Sequence, residues 1–460
     1  MNRVIALFSL LCLTAPLAMA QSLAERLGTL IDTSPVTART FVAMQVADAE
    51  TGEILFERCP DNLFTPASNV KLYTSACALD TWGPDHTFDT HLGVDGDIED
   101  GILHGDLILF GDGDPVLTSE DLRTMAQRVR SELGIERITG GVVVNDSRVD
   151  PVRKGPGWMW DDDPDVYNMS LASLMLDYNV LTAEALGLSS GDERDPFRLV
   201  PPSAYPPIEW RPSSEGSTEI TRQPFRDVIE IRGGGSASRH LTMHDPAQWI
   251  AGVLHQMLID EGIEVEGRPL VETLPPVADP GISHESLPLS DIIALFNKPS
   301  ENAIGEMLLL DLAAETAEGP VDFRDGAARL TEWLTREAGL DPGDFNLVDG
   351  SGLSRYDLIC ASGTVDLLLH MWQHPHRQVY VDSLPIAGVD GSLRSRMGGT
   401  PAVGRVHAKT GTMSGVSCLS GYAETVQGQW LVFSILTNGH IGSSAPSRGL
   451  QDRLCVALVE

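Results

Sequence analysis

Thr65-Pro66-Ala67-Ser68-Asn69-Val70-Lys71 sets a hydroxyl and an amine three residues apart at a helix start. Thr65 suits an N-cap and Pro66 the first helical position, so the spacing predicts a helix running through Leu79 with Ser68 in its first turn. Residues i and i+3 share a helix face, which brings the Lys71 amine beside the Ser68 hydroxyl. Both groups lie near the positive end of the helix dipole, where an anionic oxygen is favoured. This is the minimum equipment of an activated serine nucleophile. A lone S-x-x-K also fits a solvated serine and lysine on a helix surface, so the rest of the chain has to decide between the two readings.

The first 20 residues have the layout of an export signal: Arg3, an apolar run from Val4 to Leu17, then Ala18-Met19-Ala20. That run is too short to span a bilayer, and no later segment approaches ~18 uninterrupted apolar residues, so no membrane anchor is expected. A formal net charge of −33 argues against nucleic acid and anionic membranes as partners. Beyond the signal, Cys59, Cys77, Cys360, Cys418 and Cys455 are odd in number and resemble no zinc spacing. Basic residues are nearly all arginine. Lys71, Lys154, Lys298 and Lys409 are the only lysines, which makes any motif that needs one conspicuous.

A chain of 460 residues exceeds what one core normally covers, which predicts two or three domains. Leu23, Leu27, Leu30 and Ile31 predict a first helix before Pro35, followed by a hairpin of strands at 40–48 and 53–58. From about His91 to residue 235 the texture is one of short strand-like runs with turn and proline signals, a β-rich middle. Helical periodicity returns at 245–261, 289–314, 322–338 and 364–372, and acidic residues on these helices read as solvated faces. Strands at 405–411, 416–425 and 429–438 and a final helix close the chain. Strands near both ends predict one antiparallel sheet built by the two termini, with the middle inserted. The Asp112-Gly113-Asp114 turn lacks the remaining ligands of a calcium loop. His370, His374 and His376 read as partners of a helix C-terminus, so neither a metal nor a cofactor is expected.

Two further motifs bear on Ser68. Ser300-Glu301-Asn302 gives S-x-N where a helix begins, and Lys409-Thr410-Gly411 gives K-T-G on a strand. Singly they read as a helix cap and an edge strand. Together, S-x-x-K, S-x-N and K-T-G follow one another in that order and use two of the four lysines. The sequence therefore resembles the penicillin-recognising serine acyl-enzymes. Within them it is similar to the class C low-molecular-mass penicillin-binding proteins. The stretches Gly111-Asp112-Gly113-Asp114-Pro115, Leu176-Asp177-Tyr178-Asn179 and Asp349-Gly350-Ser351-Gly352-Leu353-Ser354-Arg355 add to the likeness, as does the long interval between Ser68 and Ser300. Glu301 departs from the Asp or Asn more usual there.

The resemblance implies an α+β fold: a penicillin-binding transpeptidase-like domain, with an antiparallel sheet flanked by helices, at 21–92 and 286–460. Inserted into it would be one β-rich domain at 93–165 and 240–285, with another nested inside at 166–239. It implies a soluble periplasmic D-alanyl-D-alanine carboxypeptidase, cleaving terminal D-Ala from peptidoglycan stem peptides and also D-Ala-diaminopimelate cross-links, and inhibited covalently by β-lactams. A homodimer is left open. Ser68 would be the nucleophile, Lys71 its base, and Ser300 and Asn302 the relay and orienting groups. Lys409 and Thr410 would bind the terminal carboxylate. Gly411 would let substrate approach the strand, and the Ser68 and Thr412 amides would form the oxyanion hole. Arg355 is expected at the stem-peptide side chain and Asp146 at its free amine. The rival readings are a β-lactamase or esterase on the same serine, which the long insert disfavours, and a non-catalytic cell-wall binding protein, for which an intact catalytic set has no use.

Overall fold

The computed structural model describes residues 21–151, 153–187, 196–212, 217–275 and 281–460; the expected export signal lies outside them. Its central sheet has five strands in the order Val406–Met413, Val416–Glu424, Trp430–Asn438, Phe41–Asp48 and Ile54–Arg58, every neighbouring pair antiparallel. Phe41 stands opposite Asn438, so the expected joining of the two ends of the chain is what forms.

Alternation along these strands sends side chains to opposite faces. Ala43 and Ala47 face a core that includes the helices Val70–Trp82, Asn302–Ala314 and Ala361–Gln373. Met44 and Val46 face the other way, onto Leu27 and Ile31 of the Leu23–Asp32 helix and Leu450, Leu454 and Leu458 of the Ala445–Val459 helix. The Val70–Trp82 helix is covered on every side, with Val70 through Leu79 all buried. Such a helix holds a lysine only if its amine finds partners.

The middle of the chain forms three further sheets. The first includes Asp89–Glu99, Ile102–Gly111, Val142–Asn145, Pro269–Glu272 and Ile282–Glu285. It is mixed rather than antiparallel, since Val142–Asn145 runs parallel to both of its neighbours. Two 15-residue helices, Ser119–Leu133 and Pro246–Asp260, share its core, so this region is less purely β than its sequence texture suggests. Two three-stranded sheets lie within 180–242, one of them combining Val180–Leu186, Phe197–Val200 and Ser236–Thr242. The boundaries expected after residues 92 and 239 fall inside the strands Asp89–Glu99 and Ser236–Thr242.

Among the described residues no helix is long and apolar enough to cross a membrane. All five described cysteines are free.

Candidate active site

The chain enters the site through a turn rather than through the predicted cap. Thr65 caps nothing; Ala67–Asn69 form a single 3₁₀ turn, Ala67 has φ 48°, and the α-helix begins at Val70. Ser68 sits on this turn, half-buried, and Lys71 on the first turn of the helix, with none of its surface exposed. The Lys71 Nζ lies 3.1 Å from Ser68 Oγ, 2.7 Å from Asn302 Oδ1 and 2.8 Å from the Ser351 carbonyl.

Asn302 reaches Lys71 because the helical periodicity over 289–314 is interrupted, with a new helix beginning at the S-x-N motif as expected. Leu289–Asn297 and Asn302–Ala314 are separate helices, and Ser300 between them has φ 70°, a conformation costing of order 1–3 kcal/mol for a residue with a Cβ. Its hydroxyl accepts from Lys409 Nζ at 2.8 Å, and that amine also donates to the Thr410 carbonyl at 3.1 Å. The Asn302 amide nitrogen donates to the Tyr167 carbonyl of the middle region at 2.9 Å. Thr410 shares a 2.7 Å hydrogen bond with Ser392.

The strand of Lys409 is the edge of its sheet and runs on through Gly411 to Met413. A Cβ on Gly411 would sit 2.3 Å from the Pro66 carbonyl oxygen and 3.1 Å from Asn69 Nδ2. The space that sequence reasoning reserved for substrate is occupied by the Ser68 turn itself. Asn69 fixes the same contact, donating to the Lys409 carbonyl at 3.0 Å and accepting from Ser420 Oγ at 2.7 Å. On the other side, Gly352, at φ 82°, lets the Asp349–Arg355 loop pass Ala67, whose carbonyl oxygen lies 2.0 Å from where a Cβ would be.

Both amines are dry, and burial holds both below the usual lysine range, Lys71 at about 8 and Lys409 well below its ordinary value. For Lys71 the carboxylates of Glu306, Asp349, Glu301 and Asp357 oppose the effect, Glu306 most strongly. For Lys409 the neighbouring Lys71 adds to it.

A cavity of about 550 Å³ opens over the serine, lined by Ser68, Tyr167, Ser300, Asn302, Arg355 and Thr412, with Asp161, Asp162 and Met159 on its middle-region wall. Arg355 is held over it by the Ser414 carbonyl at 3.3 Å. Asp146 is not among the lining residues. One of its oxygens pairs with Arg153 and the other accepts from the Ser173 N–H at 2.8 Å. With both oxygens spent internally, Asp146 is withdrawn as the amine partner, and the carboxylates facing the cavity are Asp161 and Asp162. A second cavity of about 570 Å³ shares Tyr167, Ser300 and Asn302 with the first and continues between Pro299 and Thr182, Tyr178 and His240 of the middle region.

Sequence reading missed Asn69, Tyr167, Ser351 and Glu306. It also took the acids on these helices for solvated faces, whereas Glu306 and Asp311 are 0% and 1% exposed. A signal was present. Asn302-Ala303-Ile304-Gly305-Glu306-Met307-Leu308-Leu309-Leu310-Asp311-Leu312 is apolar all round, which marks a buried helix and makes any acid in it a buried acid. Asp311 meets Arg148 of the middle region at 3.1 Å.

Two serine–lysine pairs, one at the start of a buried helix and one across a sheet edge, define a serine acyl-transfer enzyme of the penicillin-recognising kind. The family model for D-Ala-D-Ala carboxypeptidase 3 (S13) matches residues 23–456. A D-alanyl-D-alanine carboxypeptidase of Actinomadura sp. (strain R39) is 34% identical over 445 residues, 90% of this chain and 80% of the relative. The D-alanyl-D-alanine carboxypeptidase DacB of Haemophilus influenzae is 27% identical over 391 residues, 81% of this chain and 80% of the relative. The crystal structure of penicillin binding protein 4 (dacB) from Haemophilus influenzae superposes with a TM-score of 0.81 at 25% identity, covering 94% of this chain and 99% of that one. The chain belongs to the S13 family of D-Ala-D-Ala carboxypeptidases. It is a serine-type carboxypeptidase and a low-molecular-mass penicillin-binding protein, as its motifs imply.

Proposed function

We propose that this enzyme releases the terminal D-Ala of peptidoglycan stem peptides through an acyl-Ser68 intermediate and cleaves D-Ala-diaminopimelate cross-links by the same route. The observation that carries the mechanism is the contact set of Lys71. A neutral amine has two N–H groups and one lone pair, whereas the Asn302 Oδ1 and the Ser351 carbonyl can only accept. Those two take the N–H groups, so the lone pair is left for the Ser68 hydroxyl proton.

Ser68 Oγ attacks the carbonyl of the penultimate D-Ala as its proton passes to Lys71. The resulting oxyanion is received by the Ser68 and Thr412 amides, each such donor being worth about 3 kcal/mol. Collapse breaks the C–N bond, and the proton returns from Lys71 to the leaving nitrogen through Ser300. Lys409 and Thr410 hold the terminal carboxylate, and water then hydrolyses the ester. A β-lactam follows the first half of this route and stays attached, because its opened ring is not a separate leaving group. Arg355, with Asp161 and Asp162 in place of Asp146, receives the stem-peptide side chain and its amine. Because Lys71 works as a neutral base, acylation rises with pH through about 8 and is lost below as the amine protonates.

We read the sheets of the middle region as two nested domains and infer action in the periplasm from the N-terminal export pattern. For the cross-link reaction, the cavity beyond Ser300 takes the second peptide strand, because Ser300 is where the leaving nitrogen must sit. Digestion of purified muropeptides tests both activities. Wild type should release D-Ala from monomers and split cross-linked dimers, both lost in Ser68→Ala. Thr182→Trp, which fills the second cavity, should lower dimer cleavage by roughly tenfold relative to D-Ala release. Equal effects on both substrates would remove that cavity from the reaction. Kinetics with penicillin separate the β-lactamase alternative, which turns over steadily, from this reading, which gives one acyl group per enzyme.

A further inference from the structure

The carboxylate of Glu306 is fully buried one peptide unit from the Lys71 amine, and no step above uses it. Its Oε2 accepts from the Gly350 N–H at 2.8 Å and its Oε1 from the Ser351 N–H at 3.0 Å. The carbonyl of that same Ser351 receives Lys71 Nζ. The Gly350 carbonyl accepts from Thr74 Oγ1 at 2.7 Å, a second tie to the helix of Lys71. A Cβ on Gly350 would lie 2.1 Å from the Gly305 carbonyl oxygen, so the loop rests directly on the backbone of the helix that presents Glu306.

Burial and the neighbouring Asp349 push the Glu306 carboxyl up to about 8, opposed by its two N–H donors and by Lys71. A glutamine here would have one acceptor oxygen for two buried N–H groups and could not ionise at all. The other acids near Lys71 are committed differently. Asp349 accepts from the Gly352 and Ser354 N–H groups and from Trp158 Nε1, at 2.7, 2.6 and 2.9 Å. Asp357, beside Asp349, is held well above the usual carboxylate range by burial and by that neighbour's charge. Glu301 caps the Ala303 N–H from a half-buried position. Lys409 faces Lys71 from the sheet and disfavours a second ammonium.

We propose that Glu306 is a positioning residue for acylation. It fixes the Ser351 carbonyl on the Lys71 amine so that the lone pair points to Ser68, and its carboxylate form offsets the ammonium that Lys71 becomes on taking the Ser68 proton. This rests on Lys71 being the base.

The test is the rate of covalent labelling by a fluorescent penicillin between pH 5.5 and 9.5, with thermal melting in parallel. For folded Glu306→Gln the maximal rate should fall at least tenfold. The rising limb of the profile should move to lower pH, because the carboxylate that favours the ammonium where Lys71 titrates is gone. In Glu306→Asp the charge remains, so the limb should stay while the rate falls with the shorter reach. A Glu306→Gln profile identical to wild type overturns the proposal. So does a lower rate with an unmoved limb, which would reduce Glu306 to a packing role. If the Gln variant does not fold, Glu306→Asp decides the matter, and a limb displaced despite the retained charge overturns the proposal. Lys71→Ala separates the premise: full labelling by that variant would sink the base assignment itself, whatever Glu306 does.

Discussion

Ser68→Ala should lower D-Ala release and penicillin labelling by at least about 10⁴-fold while leaving the fold intact, because the hydroxyl is one atom in a half-buried turn. Loss of a nucleophile is not shared among neighbours, and no other hydroxyl stands in its place. Ser300 Oγ is the second serine of the site, but its partner is Lys409, an amine that also donates to the Thr410 carbonyl. The variant should still bind stem peptide, and equilibrium binding near the wild-type value with absent turnover is the expected pair of results. Residual labelling within a hundredfold of wild type would show a second nucleophile and end the acyl-Ser68 mechanism.

Gly411→Val should have the next largest effect, and for a reason that sequence alone misassigned. Its Cβ would collide with the Pro66 carbonyl oxygen at 2.3 Å, and neither the strand nor the Ser68 turn can yield without moving the nucleophile. Overpacking of this kind costs about 1–3 kcal/mol, and a displacement of about 1 Å at a reacting atom costs about 100-fold in rate. Melting temperature and acylation should fall together, for small penicillins as much as for peptides. If Gly411 served only to admit substrate, stability would be unchanged and large substrates would suffer most.

The candidate site was legible because its residues are written at short spacing. Ser68 and Lys71 lie three residues apart, Ser300 and Asn302 flank a helix start, and Lys409 stands out in a chain with few lysines. The family, the α+β class and the closure of one sheet by both chain ends followed from these and from the terminal strands. What stayed hidden was burial. Periodicity separates an inner from an outer helix face, but the helices carrying Lys71 and Glu306 have no outer face, so Glu306 and Asp311 looked like ordinary surface acids.

The Ser119–Leu133 helix was overlooked although its signals were present. Thr118 and Asp121 form a reciprocal cap, and Leu122, Met125, Ala126 and Val129 repeat at helical spacing. Asp146 was assigned by analogy to a role its sequence neighbourhood could not check. Its partners, Arg153 and the Ser173 amide, come together only when the segments fold against each other.

The pairing of Phe41–Asp48 with Trp430–Asn438 also has a consequence in time. Among the described residues, the Lys409 strand reaches the rest of the sheet only through Val416–Glu424 and Trp430–Asn438, which follow it in the chain. Contacts between such distant segments form late and slowly. Until they form, Ser68 has no Lys409 beside it and Gly411 has no turn to receive. A growing or clipped chain therefore carries the nucleophile without the ability to use it. A hydrolase of the wall that protects its own cell gains from staying inert until the strands between 406 and 438 have folded against Phe41–Asp48.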